Sequence, residues 1–82
     1  MLVNLYVKPN CPACSQTKRL MKKLDIDYTE APITDEVMEF AKKRDITQAP
    51  IVVIYHVGDT INDAAAWGGF RPDRIKRLAE DR

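Results

Sequence analysis

Cys11 and Cys14 are the only cysteines of the chain, and they stand together in Cys11-Pro12-Ala13-Cys14. Two thiols at this spacing can carry thiol–disulfide exchange or supply half of a metal site. Pro12 is best tolerated at the first position of a helix, where its missing N–H is not needed, and that makes Cys11 the N-cap. The Cys11 sulfur then faces unpaired backbone N–H groups at the positive end of a helix dipole, and both favour thiolate over thiol. Lys8 adds a nearby cation. A thiol pKa of roughly 8.5 can fall to about 7 or lower in such a setting, so Cys11 is the expected nucleophile. Cys14 lies one turn deeper and is the expected resolving cysteine, attacking Cys11 in a mixed disulfide to release reduced substrate. No Asp or Glu in the preceding strand offers itself as proton acceptor for Cys14. Neither a metal nor an organic cofactor is required, only a redox-active Cys11–Cys14 disulfide. A complete zinc site within one chain is not expected, because there is no second cysteine pair and His56, the only histidine, falls far along a later strand.

The elements that must position this pair can be read along the chain. Residues 2–7 form an apolar, β-prone run that stops at Lys8-Pro9-Asn10. Residues 12–24 place Thr17, Leu20, Met21 and Leu24 at helical spacing, with Lys18, Arg19, Lys22 and Lys23 largely on the other side. Ile26, Tyr28 and Glu30 alternate as in a half-buried strand ending at Pro32. Thr34 is the expected N-cap of a second helix, with Asp35 and Glu36 in its first turn and Val37, Phe40 and Ala41 as its buried stripe. Ile51-Val52-Val53-Ile54-Tyr55 is the strongest strand signal, and Gly58-Asp59 supplies turn chemistry for a hairpin. A short last strand is expected between Thr60 and Trp67. Gly68-Gly69 then releases the chain into a third helix beginning near Pro72, with Ile75, Leu78 and Ala79 as its apolar face.

The order β-α-β-α-β-β-α predicts an α/β domain with a mixed four-stranded sheet flanked by three helices. The first two strands should be parallel with a right-handed crossover and the last two antiparallel. If the third strand lies antiparallel beside the first, Pro50 and Gly68-Gly69 both come to the end of the sheet where Cys11 emerges, the carboxyl end at which α/β sites are usually built. At 82 residues, one domain spanning 1–82 is expected. Thirteen basic residues nearly cancel twelve acidic ones, which gives no general reason to expect a nucleic acid or an anionic membrane as partner. The first residues lead directly into a strand without a signal-peptide layout, so a cytoplasmic monomer is the simplest expectation.

These features resemble the thioredoxin superfamily: a strand leading into Cys11-Pro12-Ala13-Cys14 at a helix start, then Gln48-Ala49-Pro50 before an apolar strand. The resemblance implies a thioredoxin/glutaredoxin-like fold with Pro50 in the cis form against the active-site disulfide. Ala66-Trp67-Gly68-Gly69-Phe70-Arg71-Pro72-Asp73 is more specifically similar to the NrdH-redoxins, glutaredoxin-like proteins with a Trp-Ser-Gly-Phe-Arg-Pro signature. That likeness implies a carrier taking electrons from thioredoxin reductase and passing them to class Ib ribonucleotide reductase or another disulfide-bearing protein. Gly68 replaces the family's serine, and Pro12-Ala13 replaces its common Val-Gln. Gln48, Ala49, Trp67, Gly68, Gly69, Phe70 and Arg71 become candidate partner or substrate contacts, although aromatic residues flanking a turn more often pack inward. Glutaredoxins commonly follow their Gly-Gly with an acidic pair that holds the glutathione ammonium, and Arg71-Pro72 stands there instead. A cation at that point disfavours glutathione. The alternatives are a glutathione-dependent glutaredoxin and a metal or iron–sulfur carrier using Cys11 across a dimer.

Overall fold

A computed structural model describes residues 1–61 and 63–81. The chain runs β1 (Leu2–Val7), α1 (Pro12–Lys23), β2 (Thr29–Pro32), α2 (Asp35–Lys43), β3 (Ile51–Tyr55), β4 (Ala65–Gly68) and α3 (Pro72–Asp81). One mixed sheet takes the strand order β2-β1-β3-β4. β1 is parallel to β2 and antiparallel to β3, and β3 is antiparallel to β4.

Alternation along the strands sorts the side chains to two faces. Val3, Leu5, Val52, Ile54 and Trp67 pack with Met21 of α1 and with Ile75 and Leu78 of α3. Ile51, Val53 and the half-buried Tyr6, Tyr55 and Ala66 pack instead with Val37, Phe40 and Ala41 of α2. β3 is covered on both sides, which is why its sequence is an unbroken apolar run rather than an alternating one.

α1 and α2 begin and end by the same physical devices. Thr34 Oγ1 accepts from the Val37 N–H at 3.3 Å, satisfying one free donor of α2. At the other end, Asp45 takes a left-handed φ of 57°, its N–H bonds Lys42 O at 3.2 Å, and the Ile46 N–H bonds Ala41 O at 2.8 Å. α1 stops identically through Asp25, with the Ile26 N–H donating to Met21 O at 2.8 Å. This corrects the expected second strand. Ile26 is committed to the end of α1 and buried in the core, so pairing with β1 starts only at Thr29.

β3 and β4 form the expected antiparallel hairpin, with Gly58 in its first turn, but the connection is longer than one turn. The Asp59 N–H bonds His56 O at 2.9 Å, Gly58 takes a φ of 89°, and a second turn carries the Ala64 N–H onto Thr60 O at 3.1 Å. The expected strand between Thr60 and Trp67 therefore begins only at Ala65. Arg44 secures this connection from the end of α2, with Nη1 donating to Ala64 O at 2.8 Å. Among the described residues, no helix is long and apolar enough to cross a membrane.

Candidate functional site

β1 delivers the chain to Lys8-Pro9-Asn10, where Asn10 adopts a φ of 54°. Asn is one of the few residues that enters this left-handed region readily, and it redirects the chain into α1. Cys11 follows as the N-cap in an extended conformation, with Pro12 at the first helical position. Its Sγ accepts the Cys14 N–H at 3.1 Å, so sulfur fills the place usually taken by a Ser or Asp oxygen. The first turn of α1 contains no acidic residue. Cys11 and Cys14 form a disulfide with Cα atoms 5.2 Å apart. Cys14 is only 3% exposed, whereas Cys11 is half-buried.

The pairing of Tyr6 with Ile51 brings Pro50 to the end of β1, beside the segment that turns into Cys11. The Ala49–Pro50 peptide bond is cis and Pro50 is fully buried. Pro50 O accepts the Gly69 N–H at 3.0 Å, which ties the start of β3 to the exit of β4. The two glycines permit this approach. A Cβ on Gly68 would stand 2.6 Å from Gln48 O, and one on Gly69, at a φ of 79°, would stand 2.6 Å from Gln48 Oε1. Gln48, Ala49, Gly68 and Gly69 are thus brought together around Pro50, as their spacing along the chain predicts.

The remaining expected residues fall in different surroundings. Trp67 is 7% exposed and belongs to the core between the sheet and α3, with the Arg74 guanidinium over its ring at 5.6 Å. Phe70 is half-buried against the same core. Both therefore pack as aromatic residues beside a turn usually do, and Trp67 is not an open contact on the disulfide surface. Arg71 is exposed but not a bare cation: its Nε and Nη2 donate to Asp73 Oδ1 and Oδ2 at 3.4 and 3.3 Å. The hydrogen bond from Arg71 is the main reason the Asp73 carboxyl is held below its usual range.

A groove not evident from the sequence lies on the other side of the disulfide. Val7, Lys8, Cys11, Cys14, Lys18 and Glu30 are among its lining residues. Glu30 stands on the α1 side of the sheet, paired in register with Leu5, and its carboxylate meets Lys18 Nζ at 3.4 Å. One signal for it is present: Lys18 follows Cys14 by one helical turn, so the two share a face. Lys8 lines the same groove, on the side expected of a cation near Cys11. Among the described residues no cluster of three or more His, Cys, Asp or Glu side chains could hold a metal ion.

Comparison with known proteins agrees with this geometry. The glutaredoxin family profile matches residues 3–57. The glutaredoxin-like protein NrdH of Escherichia coli is 31% identical over 80 residues, covering 95% of this chain and 89% of that protein. A glutaredoxin-like protein encoded in the rubredoxin operon of Clostridium pasteurianum is 25% identical over 96% of this chain and 99% of its own. The solved structure of NrdH-redoxin from E. coli superposes with a TM-score of 0.77 at 29% identity, covering 95% of each chain. Mitochondrial thioredoxin 3 of Saccharomyces cerevisiae shares the fold at a TM-score of 0.66 and 21% identity, covering 99% of this chain and 77% of its own.

Proposed function

The chain belongs to the glutaredoxin family and is an NrdH-like thiol–disulfide oxidoreductase, and from that premise we propose that it is a cytoplasmic electron carrier reduced by thioredoxin reductase rather than by glutathione. Its acceptor, on this reading, is class Ib ribonucleotide reductase or another protein bearing an accessible disulfide. The observation that carries the reading is the capping position of Cys11. Its sulfur accepts a helix N–H with no acidic side chain in the first turn to oppose a negative charge.

In the reduced protein the Cys11 thiolate attacks one sulfur of the substrate disulfide, forming a mixed disulfide and expelling the other sulfur as thiolate. Cys14 then loses its proton and attacks Cys11. The Cys11–substrate bond breaks, the second substrate sulfur leaves and is protonated, and the Cys11–Cys14 disulfide forms. Two electrons have passed to the substrate. A dithiol donor reverses the sequence and restores both thiols. Lys8, Pro12 and Pro50 support this step: Lys8 as a cation beside the pair, Pro12 by fixing the helix start, and Pro50 by standing at the substrate-facing edge. Gln48 and Ala49, with Gly68 and Gly69 beside them, shape the surface on which the substrate backbone would lie, and Trp67 and Phe70 support it from the core.

The choice of electron source rests on Arg71, Pro72 and Asp73. A glutathione ammonium needs a free carboxylate after the Gly-Gly turn, and the nearest one, on Asp73, is already engaged by Arg71. The E. coli relative whose structure superposes is itself described as having a thioredoxin-like activity profile. Reduction of insulin disulfides with NADPH and thioredoxin reductase should be rapid, and reduction with glutathione and glutathione reductase at least about tenfold slower, a difference of about 1.4 kcal/mol. The Arg71→Asp, Pro72→Asp double variant should gain glutathione-driven turnover. Faster turnover with glutathione than with thioredoxin reductase in the unaltered protein would make it a glutathione-dependent glutaredoxin instead.

A further inference from the structure

A second groove runs along the free edge of the sheet, between β4 and α3. Ile54, Ala65, Trp67, Arg71, Arg74 and Arg77 are among the residues that line it, and it encloses about 520 Å³. That is the range of space in which binding sites are commonly found. We propose that this groove docks an extended, carboxylate-bearing segment of a partner protein.

Three observations point to that occupant. The first is charge. Arg71 is neutralised by Asp73, while Arg74 and Arg77 line the groove with no carboxylate partner among the described residues, and Asp81 is the other acidic residue on its wall. One arginine charge on this wall remains uncompensated. The second is hydrogen bonding. Trp67 Nε1 is buried without an acceptor. An indole N–H only donates, and so does the guanidinium of Arg74 lying over the ring, so neither can satisfy the other. A carboxylate or carbonyl oxygen entering here accepts from Arg74, and it reaches the covered indole N–H only when the side chains over it move aside. Unpaired buried donors are uncommon, and this one lies in the wall of the groove.

The third observation is the sheet edge. β4 pairs with β3 on one side only, so its other side offers main-chain groups to an added strand. An extended segment fits this line, where a compact anion would reach only the arginines. The groove starts at Arg71 and Asp73, just past the Gly68-Gly69 turn, and leads toward His56 at the opposite end of β3, and neither cysteine lines it. Its occupant would therefore not block thiol exchange, and docking there would hold a partner while its own cysteines react.

Trp67 is the only tryptophan of the chain, so its fluorescence reports on the surroundings of this one side chain, which lines the groove. The oxidised protein is titrated with a hexaglutamate peptide, with hexalysine and with inorganic phosphate at matched ionic strength, while the amide NMR signals of Ala65 and Trp67 are followed in parallel. Hexaglutamate should give a saturable change in both readouts, and hexalysine and phosphate none. An Arg74→Glu, Arg77→Glu variant should bind hexaglutamate at least about tenfold more weakly, with unchanged far-ultraviolet circular dichroism, since both side chains are exposed. Absence of a saturable response in both readouts would overturn the proposal. So would an equal response in the charge-reversed variant, or a phosphate response matching that of the peptide, which would mark a small-anion site.

Discussion

The chemistry of single residues was the most legible part of the sequence. Pro12 at the first helical position fixed the place of Cys11, and the Cys14 N–H donating to Cys11 Sγ at 3.1 Å is the contact expected from that placement. Arg71 was legible only in part. The sequence sets Asp73 close enough to Arg71 to offset it in part, and the two hydrogen bonds between them come from the local bend at the start of α3. Nothing in the sequence marks Glu30 as a neighbour of the site, because its place in the groove with Cys14 depends on the register of β2 against β1. The half-buried Cys11 and nearly covered Cys14 differ in access as well as in electrostatics. Iodoacetamide limited to one equivalent at neutral or mildly acidic pH should therefore label Cys11 in the fully reduced protein, as read by peptide mass spectrometry. Preferential labelling of Cys14 would reverse the two roles.

At the scale of elements, the helix starts were predictable and the helix stops were not. Thr34 before two acidic residues announces α2, and the Thr34 Oγ1 bond to the Val37 N–H is the result. The stops rely on Asp25 and Asp45 in a conformation more often given to glycine, so the sequence lacks the usual mark and the second strand begins three residues later than expected. Gly68-Gly69 releases the chain into α3 as expected, and it also lets β4 and the segment before β3 approach. Gly68→Ala tests this directly. The added methyl meets Gln48 O and the Ile46 side chain, which lie against it on the connection from α2 to β3. A loss of roughly 1–3 kcal/mol in urea unfolding is expected, together with slower insulin reduction as residues 48–50 are displaced beside Cys11. An unchanged unfolding midpoint and rate would show that the connection yields freely.

For the whole molecule, the decisive feature is convergence. Cys11, Pro50 and Gly69 are far apart in sequence, yet the β2-β1-β3-β4 order brings the end of β1, the start of β3 and the exit of β4 to one edge. That much follows from the order of elements once β3 is placed antiparallel to β1. What the order could not show is that Trp67 turns inward while the adjoining residues face the disulfide edge, because alternation along β4 begins only at Ala65. The sheet thereby separates two surfaces, a reactive edge at Cys11 and a basic groove along β4 and α3. The most direct test of the redox assignment is to trap the intermediate. Cys14→Ser protein is mixed with oxidised insulin and resolved on a non-reducing gel, beside Cys11→Ser and the unaltered chain. A thiol-sensitive adduct through Cys11 in the Cys14→Ser protein, absent from the Cys11→Ser protein, is the predicted result; an adduct through Cys14 in the Cys11→Ser protein, with none through Cys11, would contradict it.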